Sequence, residues 1–520
     1  MSRISSASHT REPEDIIAIF HCSFHPTRGN IIDWSIKASE DLNLDGVEFS
    51  TLPSGLHLVD EDVVHITQNV HHGISVFRKR STAEAGMRGF RLESLGILVA
   101  QSSRPRPWRH LGSLKELSRQ LGEHWESSKS QYAEDQRDWS LVEEWYKRRV
   151  FRRIGEEGRW VDWEEELTSD NKHHPALHLP HLLRILGPSS LTLYKHVLAR
   201  RRVLIYTNPA VEPACILARI ASDICGEEDR PTVLGMVGIN DMDKLTEESF
   251  KGHGWIACTT DAIFLEKPSF YDLVIDMTAS RPSRPAFFVS RPAPPSLRGP
   301  RHRLVPVRFT FSDVRLWSEL DKALRADAEE GTFEESKTRW TDGWRLYEDV
   351  CVACAGAWMD GWKSGSTSWG IGKDGTLRVT TKGRIQLDGE DEGIRNLGKG
   401  IEGRPLTQWK RQSSVSTTNT HLLSREVRTT LALLSIFHAH SEFLSERLSE
   451  LLEDATADGN SSTTVVLTPK DIMSLELGIW SELDAKFLEW LAERNKKSAG
   501  KKVIVRRGWR DLLGALLGFG

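Results

Sequence analysis

The chain has 520 residues, 39% of them hydrophobic and 27% charged, with a formal net charge of −4. That length fits roughly three cores, and the balanced charge offers no general basic surface for nucleic acid. Six scattered cysteines exclude a disulfide scaffold, and no apolar run approaches the ~20 residues of a membrane-spanning helix.

Residues 1–13 are polar and lack the apolar segment of a signal peptide, so they are expected to form a disordered leader. A strand-rich lobe is expected over 14–125. Ile16 to Phe20 is a continuous apolar run, as in a strand covered on both faces. Cys22, within it, reads as a small hydrophobe. Arg28-Gly29-Asn30 is turn chemistry and predicts a hairpin. His71-His72, at a strand start ahead of Gly73, reads as a turn pair. Leu111, Leu114, Leu117 and Leu121 mark a helix. Strands followed by a helix make this an α+β lobe.

A helical linker is expected over 126–176. Trp139, Val142, Trp145, Tyr146 and Val150 recur at helical spacing and predict an amphipathic helix packed between lobes. Glu164, Glu165 and Glu166 read as a solvated run. The basic clusters at Arg148-Arg149, Arg152-Arg153 and Arg200 to Arg202 read as solvated faces.

Residues 177–310 then alternate, which predicts an α/β lobe. Leu182 to Leu198 is helical, interrupted at Gly187-Pro188. Strands are expected at Val203 to Tyr206, Thr232 to Ile239 and Leu273 to Met277. Pro213 and Gly226 bracket a helix. The proline-rich stretch from Ser280 to Pro300 is expected to hold no regular structure.

Residues 311–520 are expected to be mainly helical. Val314, Trp317, Leu320 and Leu324 share one helical face, and Trp344 to Trp358 continue the apolar spacing. About 363–419 the chain is polar and Gly/Ser/Thr-rich, as in a long insertion. Val427 through Leu451 mark one long helix. Thr468-Pro469 and Ser481-x-x-Asp484 open two more. Val503 to Val505 is a short strand and Leu512 to Leu517 a final amphipathic turn.

Motifs that suggest chemistry fail on context. Gly393 to Gly400 spells G-x-x-x-x-G-K but lacks the following Ser or Thr and follows an acidic run. Gly370 to Gly375 spells G-x-G-x-x-G without a preceding strand. His173, His174, His178 and His181 are broken up by Pro175 and Pro180, which argues for a polar junction loop and against a zinc site. Cys351 and Cys354 have no second pair at zinc spacing. Asp272 and Asp276 flank a strand and could line a cleft, yet no nucleophile or base accompanies them. No catalytic residue, metal or cofactor is expected.

The run GWIACTTDAIFLEKPSFYDLVIDM, Gly254 to Met277, resembles a signature of the LCHN-like branch of DENN-domain proteins. A second block is similar to the N-terminal lobe of that family: IIAIFHCSF, NIIDWSI, LDGVEFSTLPSGLH, HHGISVFRKR and GFRLESLGILV, in order over 16–99. The C-terminal part looks like the extension carried by fungal members. The resemblance implies a multi-domain fold of mixed α/β and α+β type: a longin-like upstream lobe, a central α/β DENN lobe and a mainly helical downstream region. It implies regulation of a Rab GTPase held between the first two lobes, in vesicle traffic, by preferential binding of the nucleotide-free form. A non-catalytic adaptor for a GTPase or trafficking complex is the alternative. The family resemblance makes Trp34, Asp45 and Glu48 candidate GTPase contacts in the first lobe. In the second it points to Trp255, Thr259, Thr260 and Asp261. From the residues alone, Trp34 and Phe49 read as core packing, and Thr259 to Asp261 as caps of the next turn. A cytoplasmic location is expected, with peripheral contact to endomembranes left open.

Overall fold

A computed structural model describes residues 13–82, 89–127, 137–151, 160, 162–168, 173–226, 229–278, 286–292, 302–307, 309–310, 312–329, 420–457, 464–494 and 502–506. Residues 1–12 of the leader, Arg152-Arg153, Trp344 to Trp358, the polar insertion, both glycine motifs, Cys351, Cys354 and Leu512 to Leu517 lie outside the described residues.

The first strand, β1 (Ile16–His25), turns at Gly29 (φ 77°) into β2 (Gly29–Lys37), as the hairpin chemistry predicts. A short helix α1 (Val47–Thr51) follows, then β3 (Glu61–Gln68), β4 (His71–Ser81) and β5 (Phe90–Val99). These five strands are antiparallel in the order β3-β4-β5-β1-β2. His71 and His72 do open a strand, as expected, but are paired strand residues and not a turn pair. They pair with Gln68 and Thr67 of β3, because the tight turn lies at Gln68 to His71 with Asn69 at positive φ.

Helix α2 (Leu111–Ser127) buries Leu111, Leu114, Leu117 and Leu121 on one face of this sheet. Helix α3 (Ser140–Arg149) lies beside it and buries Val142 and Tyr146 in the same core. The linker helix therefore packs on the first lobe, not between lobes. Arg149 on α3 is buried, its guanidinium 4.3 Å from the Trp145 ring.

The short helix α4 (Trp163–Thr168) corrects the reading of its acidic run. Glu164 and Glu165 are exposed, but Glu166 is buried against Arg106 at 3.0 Å and His174 at 3.5 Å. Helical periodicity turns one member of the run inward, and His174 together with the Arg106 and Arg109 guanidiniums holds its carboxyl below the usual range despite burial.

The second half contains α5 (Leu179–Leu186), α6 (Ser189–Leu198), β6 (Val203–Tyr206), α7 (Glu212–Asp223), β7 (Thr232–Met236), α8 (Met242–Phe250), β8 (Trp255–Thr259) and β9 (Leu273–Asp276). Strands β6 to β9 are parallel in the order β9-β6-β8-β7. β6 and β8 are wholly or nearly wholly buried, as expected of a parallel sheet covered on both faces.

Two further strands, β10 (Ala286–Pro292) and β11 (His302–Pro306), extend the sheet antiparallel from β9. The proline-rich stretch thus carries regular structure within it. β11 is an edge strand, and Pro292 and Pro306 close their strands, where a missing N–H costs no central ladder bond.

All eleven strands form one continuous sheet. One face is covered by α1, α5 to α7 and the C-terminal elements. These are α9 (Asp313–Glu329), α10 (Thr420–Ala457), β12 (Thr464–Leu467), α11 (Pro469–Ser474), α12 (Glu482–Arg494) and β13 (Lys502–Val505). Trp317, Leu320 and Leu324 are buried on the predicted face of α9, and Leu434, Phe437, Leu444 and Leu448 on that of α10. Tyr194 of α6 anchors α10 through 2.9 Å contacts to His440 Nδ1 and Ser441 Oγ. Lys195 fixes α9 and α12: its ammonium pairs with Asp313 at 2.7 Å and with Asp484, all three groups being buried. Thr468 and Asp471 form a capping box that opens α11. Among the described residues, no helix is long and apolar enough to cross a membrane.

Candidate functional site

The feature that organises the molecule is the seam where the antiparallel half meets the parallel half. β3 and β7 join there as antiparallel neighbours, with Ile66 opposite Gly235. The sequence dictates glycine at this point. Gly235 has φ +69°, and a Cβ on it would stand 2.3 Å from the His65 carbonyl oxygen. The register shift between Val233 and Gly235 on β7 bends the strand toward its new neighbour.

Side chains reinforce the seam. Thr67 Oγ1 donates to the Val233 carbonyl at 2.9 Å, and Lys244 Nζ donates to the Thr67 carbonyl. Burial pulls the Lys244 ammonium down from its ordinary pKa. The Arg219 guanidinium of α7 sits 4.8 Å from the Trp108 ring of the first lobe. His65, His72, Trp108 and Arg219 border a cavity of about 20 Å³, room for about one water. Burial and the nearby guanidinium push His65 down to about 4 and His72 to about 3.

Asp62 links the halves most directly. It is buried on β3, and its carboxylate accepts the Val211 N–H at 2.7 Å and the Glu212 N–H at 3.2 Å. These are free backbone donors at the start of α7. A first-lobe carboxylate thus caps a second-lobe helix, where the helix dipole favours negative charge.

Because β3 runs antiparallel to β7, the start of β3 lies at the carboxyl ends of the parallel strands. Gly55, ahead of β3, lies close to the Pro209 ring. The loops after β7 and β8 reach the same edge and are tied together: Asp261 Oδ2 accepts the Ile239 N–H at 3.2 Å. Large apolar side chains stand exposed along this edge, namely Leu58 (69%), Ile239 (51%) and Ile263 (40%). The carboxyl ends of the strands in open α/β sheets are where such folds commonly bind ligands.

The candidate contact residues are dispersed. Trp34 lies on β2, far from the seam, and stacks on Trp139 with ring centroids 4.7 Å apart. Asp45 is exposed before α1, its carbonyl accepting from Gln68 Nε2 at 2.9 Å. Glu48 is half-buried on α1, on the sheet face opposite to Trp34, near the buried Cys22. Trp255 and Thr259 have no exposed surface, which corrects their assignment as contacts. Trp255 donates to Ser249 Oγ at 3.1 Å, and Thr259 Oγ1 accepts the Asp261 N–H at 3.1 Å. Half-buried Thr260 and Asp261 lie on the carboxyl edge. The Asp261 side chain bonds to the β7 loop and makes no cap bond to its own turn.

Asp62 and Gly235 escaped the sequence reading. An acid before an apolar strand run, and a lone glycine in VLGMV, were the available signals. Strand β8 escaped as well, its signature pattern drawing attention away from a plain buried run.

The architecture is that of a DENN-type protein, a mixed α/β sheet assembly followed by a helical C-terminal region. The profile of the family "DENN domain-containing protein 11" matches residues 19–286, and the chain belongs to that family. DENN domain-containing protein 11 of Rattus norvegicus is 27% identical over 286 residues, covering 51% of this chain and 58% of its own length. The Danio rerio protein of the same name is 28% identical over 291 residues, 51% and 54% of the two lengths. The uncharacterized protein ANR2 of Saccharomyces cerevisiae is 25% identical over 305 residues, 52% and 59%. The chain thus spans less than two thirds of the curated relatives it matches.

Proposed function

We propose that the protein is a guanine-nucleotide exchange factor for a Rab GTPase in vesicle traffic, working from the carboxyl edge of its sheet. The supporting observation is the row of exposed Leu58, Ile239 and Ile263 on an edge built jointly by both halves, in a chain of the DENN domain-containing protein 11 family. Exchange needs no nucleophile. It needs a surface that binds the nucleotide-free GTPase more tightly than the loaded form, so that binding energy opposes the contacts holding magnesium and phosphate. A rigid edge carrying apolar side chains suits that work, because it pays little ordering cost on binding. Thr260 and Asp261 remain candidate contacts at its margins, whereas Asp45, bonded to Gln68 at the other end of β3, lies away from this edge.

The test is release of labelled GDP from a panel of purified Rab proteins. Acceleration of one member, lost in Ile239→Asp and Ile263→Asp, supports the proposal. Stable binding with unchanged release makes the protein an adaptor. Absence of both refutes a GTPase role for this edge.

A further inference from the structure

A groove of about 700 Å³ opens at the amino ends of the parallel strands, between the 266–272 loop, β10–β11 and α12. This is the end of the sheet opposite to the apolar edge. The volume suits one small ligand.

The lining is chemically mixed. Arg202, Lys267, Arg291 and Lys486 face it with Glu266, Asp272 and Glu482. Arg202 clamps Asp272 with bonds of 2.9 and 3.1 Å, leaving a fixed carboxylate at the wall. Glu482 is shared by Arg291 at 3.0 Å and Lys486 at 2.8 Å. All three are exposed, so a stronger anion can displace the carboxylate. Among the described residues, exposed Lys267 makes no ion pair.

The inner wall is aromatic. Trp490 and fully buried His196 have ring centroids 5.5 Å apart. His196 Nδ1 lies 2.8 Å from the Thr192 carbonyl and must donate to it, which leaves a lone pair on Nε2. That nitrogen is buried without a hydrogen-bond partner. Burial holds the ring down at about 4, hence neutral. An unmet buried acceptor is unfavourable until a donor reaches it. Fixed carboxylates, an aromatic wall and a bare acceptor suit hydroxyl groups on a ring. The exchangeable cations suit a phosphate.

We propose that this groove binds a phosphorylated polyol, its ring against Trp490, a hydroxyl donating to His196 Nε2, and its phosphate on Lys267 and Arg291. Such a group reaches a protein either as a free metabolite or as the headgroup of an inositol lipid. Trp480, 57% exposed and two residues before Glu482, is placed to enter a lipid surface.

Calorimetry of the full chain with soluble inositol monophosphate is one arm. Flotation with phosphatidylcholine vesicles, with and without a phosphatidylinositol monophosphate, is the other. Saturable binding is expected in at least one arm, weakened about tenfold or more by Lys267→Glu with Arg291→Glu, both exposed and harmless to folding. Vesicle binding reduced by Trp480→Ser assigns the ligand to a lipid. Binding of the soluble probe alone assigns it to a free phosphate ester. Binding in neither arm, or binding indifferent to the double substitution, overturns the proposal. GDP release is unchanged by these substitutions, so failure here leaves the exchange reading standing.

Discussion

Replacing Gly235 by alanine tests whether the seam is as tightly specified as its geometry indicates. Two costs add. The positive φ of +69° disfavours any Cβ, by about 1–2 kcal/mol. The new methyl would stand 2.3 Å from the His65 oxygen and 2.7 Å from its carbonyl carbon, both backbone atoms that cannot swing aside. Overpacking of this kind costs about 1–3 kcal/mol. The sum, roughly 2–5 kcal/mol, is a large share of the ~5–15 kcal/mol that holds a domain folded. Two controls separate the parts. Gly46→Ala carries a φ of +89° with nothing within 4 Å, so it bears the dihedral cost alone. Gly226→Ala meets open space without a positive φ and should be near neutral. Urea unfolding followed by circular dichroism measures all three. The order predicted is Gly235→Ala well below Gly46→Ala, and that below Gly226→Ala. Equal stability of the Gly235 and Gly46 variants would refute the claim that the halves meet backbone to backbone.

Other outcomes follow from buried charge. Lys195→Met leaves Asp313 and Asp484 buried without their cation and should cost about 3–5 kcal/mol; limited proteolysis should then cut first near α12, and an unchanged digestion pattern would contradict the assignment. Asp62→Ala strips the start of α7 of its carboxylate and should cost about 1–2 kcal/mol, read as a lower melting temperature that Asp62→Asn partly restores. Acid stability is set in part by buried and half-buried neutral histidines. His65, His178 and His196 are held at about 4, and His72 and His440 at about 3, below the ordinary histidine value of about 6.5. The unfolded chain takes up these protons first, so their contribution is whole above pH 6.5 and falls as pH drops toward 4 and then 3. Each histidine removes up to about 1.4 kcal/mol per pH unit in that window. His72→Gln should flatten the slope of stability against pH; an unaltered slope would show that His72 already protonates in the folded state.

The sequence made local order legible and concealed long-range placement. Periodicity located α2, α9 and α10 because each buries a stripe that recurs every three to four residues, while Pro213 and Gly226 bracketed α7, which is buried nearly all round. Turn chemistry located the β1–β2 hairpin. The Ala286–Pro292 strand was hidden by the prolines around it; its own Pro292 sits at the strand end, where no central ladder bond is lost, a placement the local sequence does not encode. Glu166 looked like its exposed neighbours, and only the arrival of Arg106 and His174 from other segments explains its burial. Trp255 and Thr259 stood out by motif, yet their conspicuous pattern marks a buried strand. The residues that join the halves, Asp62 and Gly235, act through partners 149 and more positions away, beyond the reach of any local pattern.

The central claim is that one edge of the fused sheet prefers an empty GTPase. Its most direct measurement is the affinity of the full chain for a responsive Rab, prepared nucleotide-free and again loaded with GDP and magnesium. The account predicts much tighter binding of the empty form, with the preference lost in Ile239→Asp and Ile263→Asp. Equal affinity for both forms would contradict it.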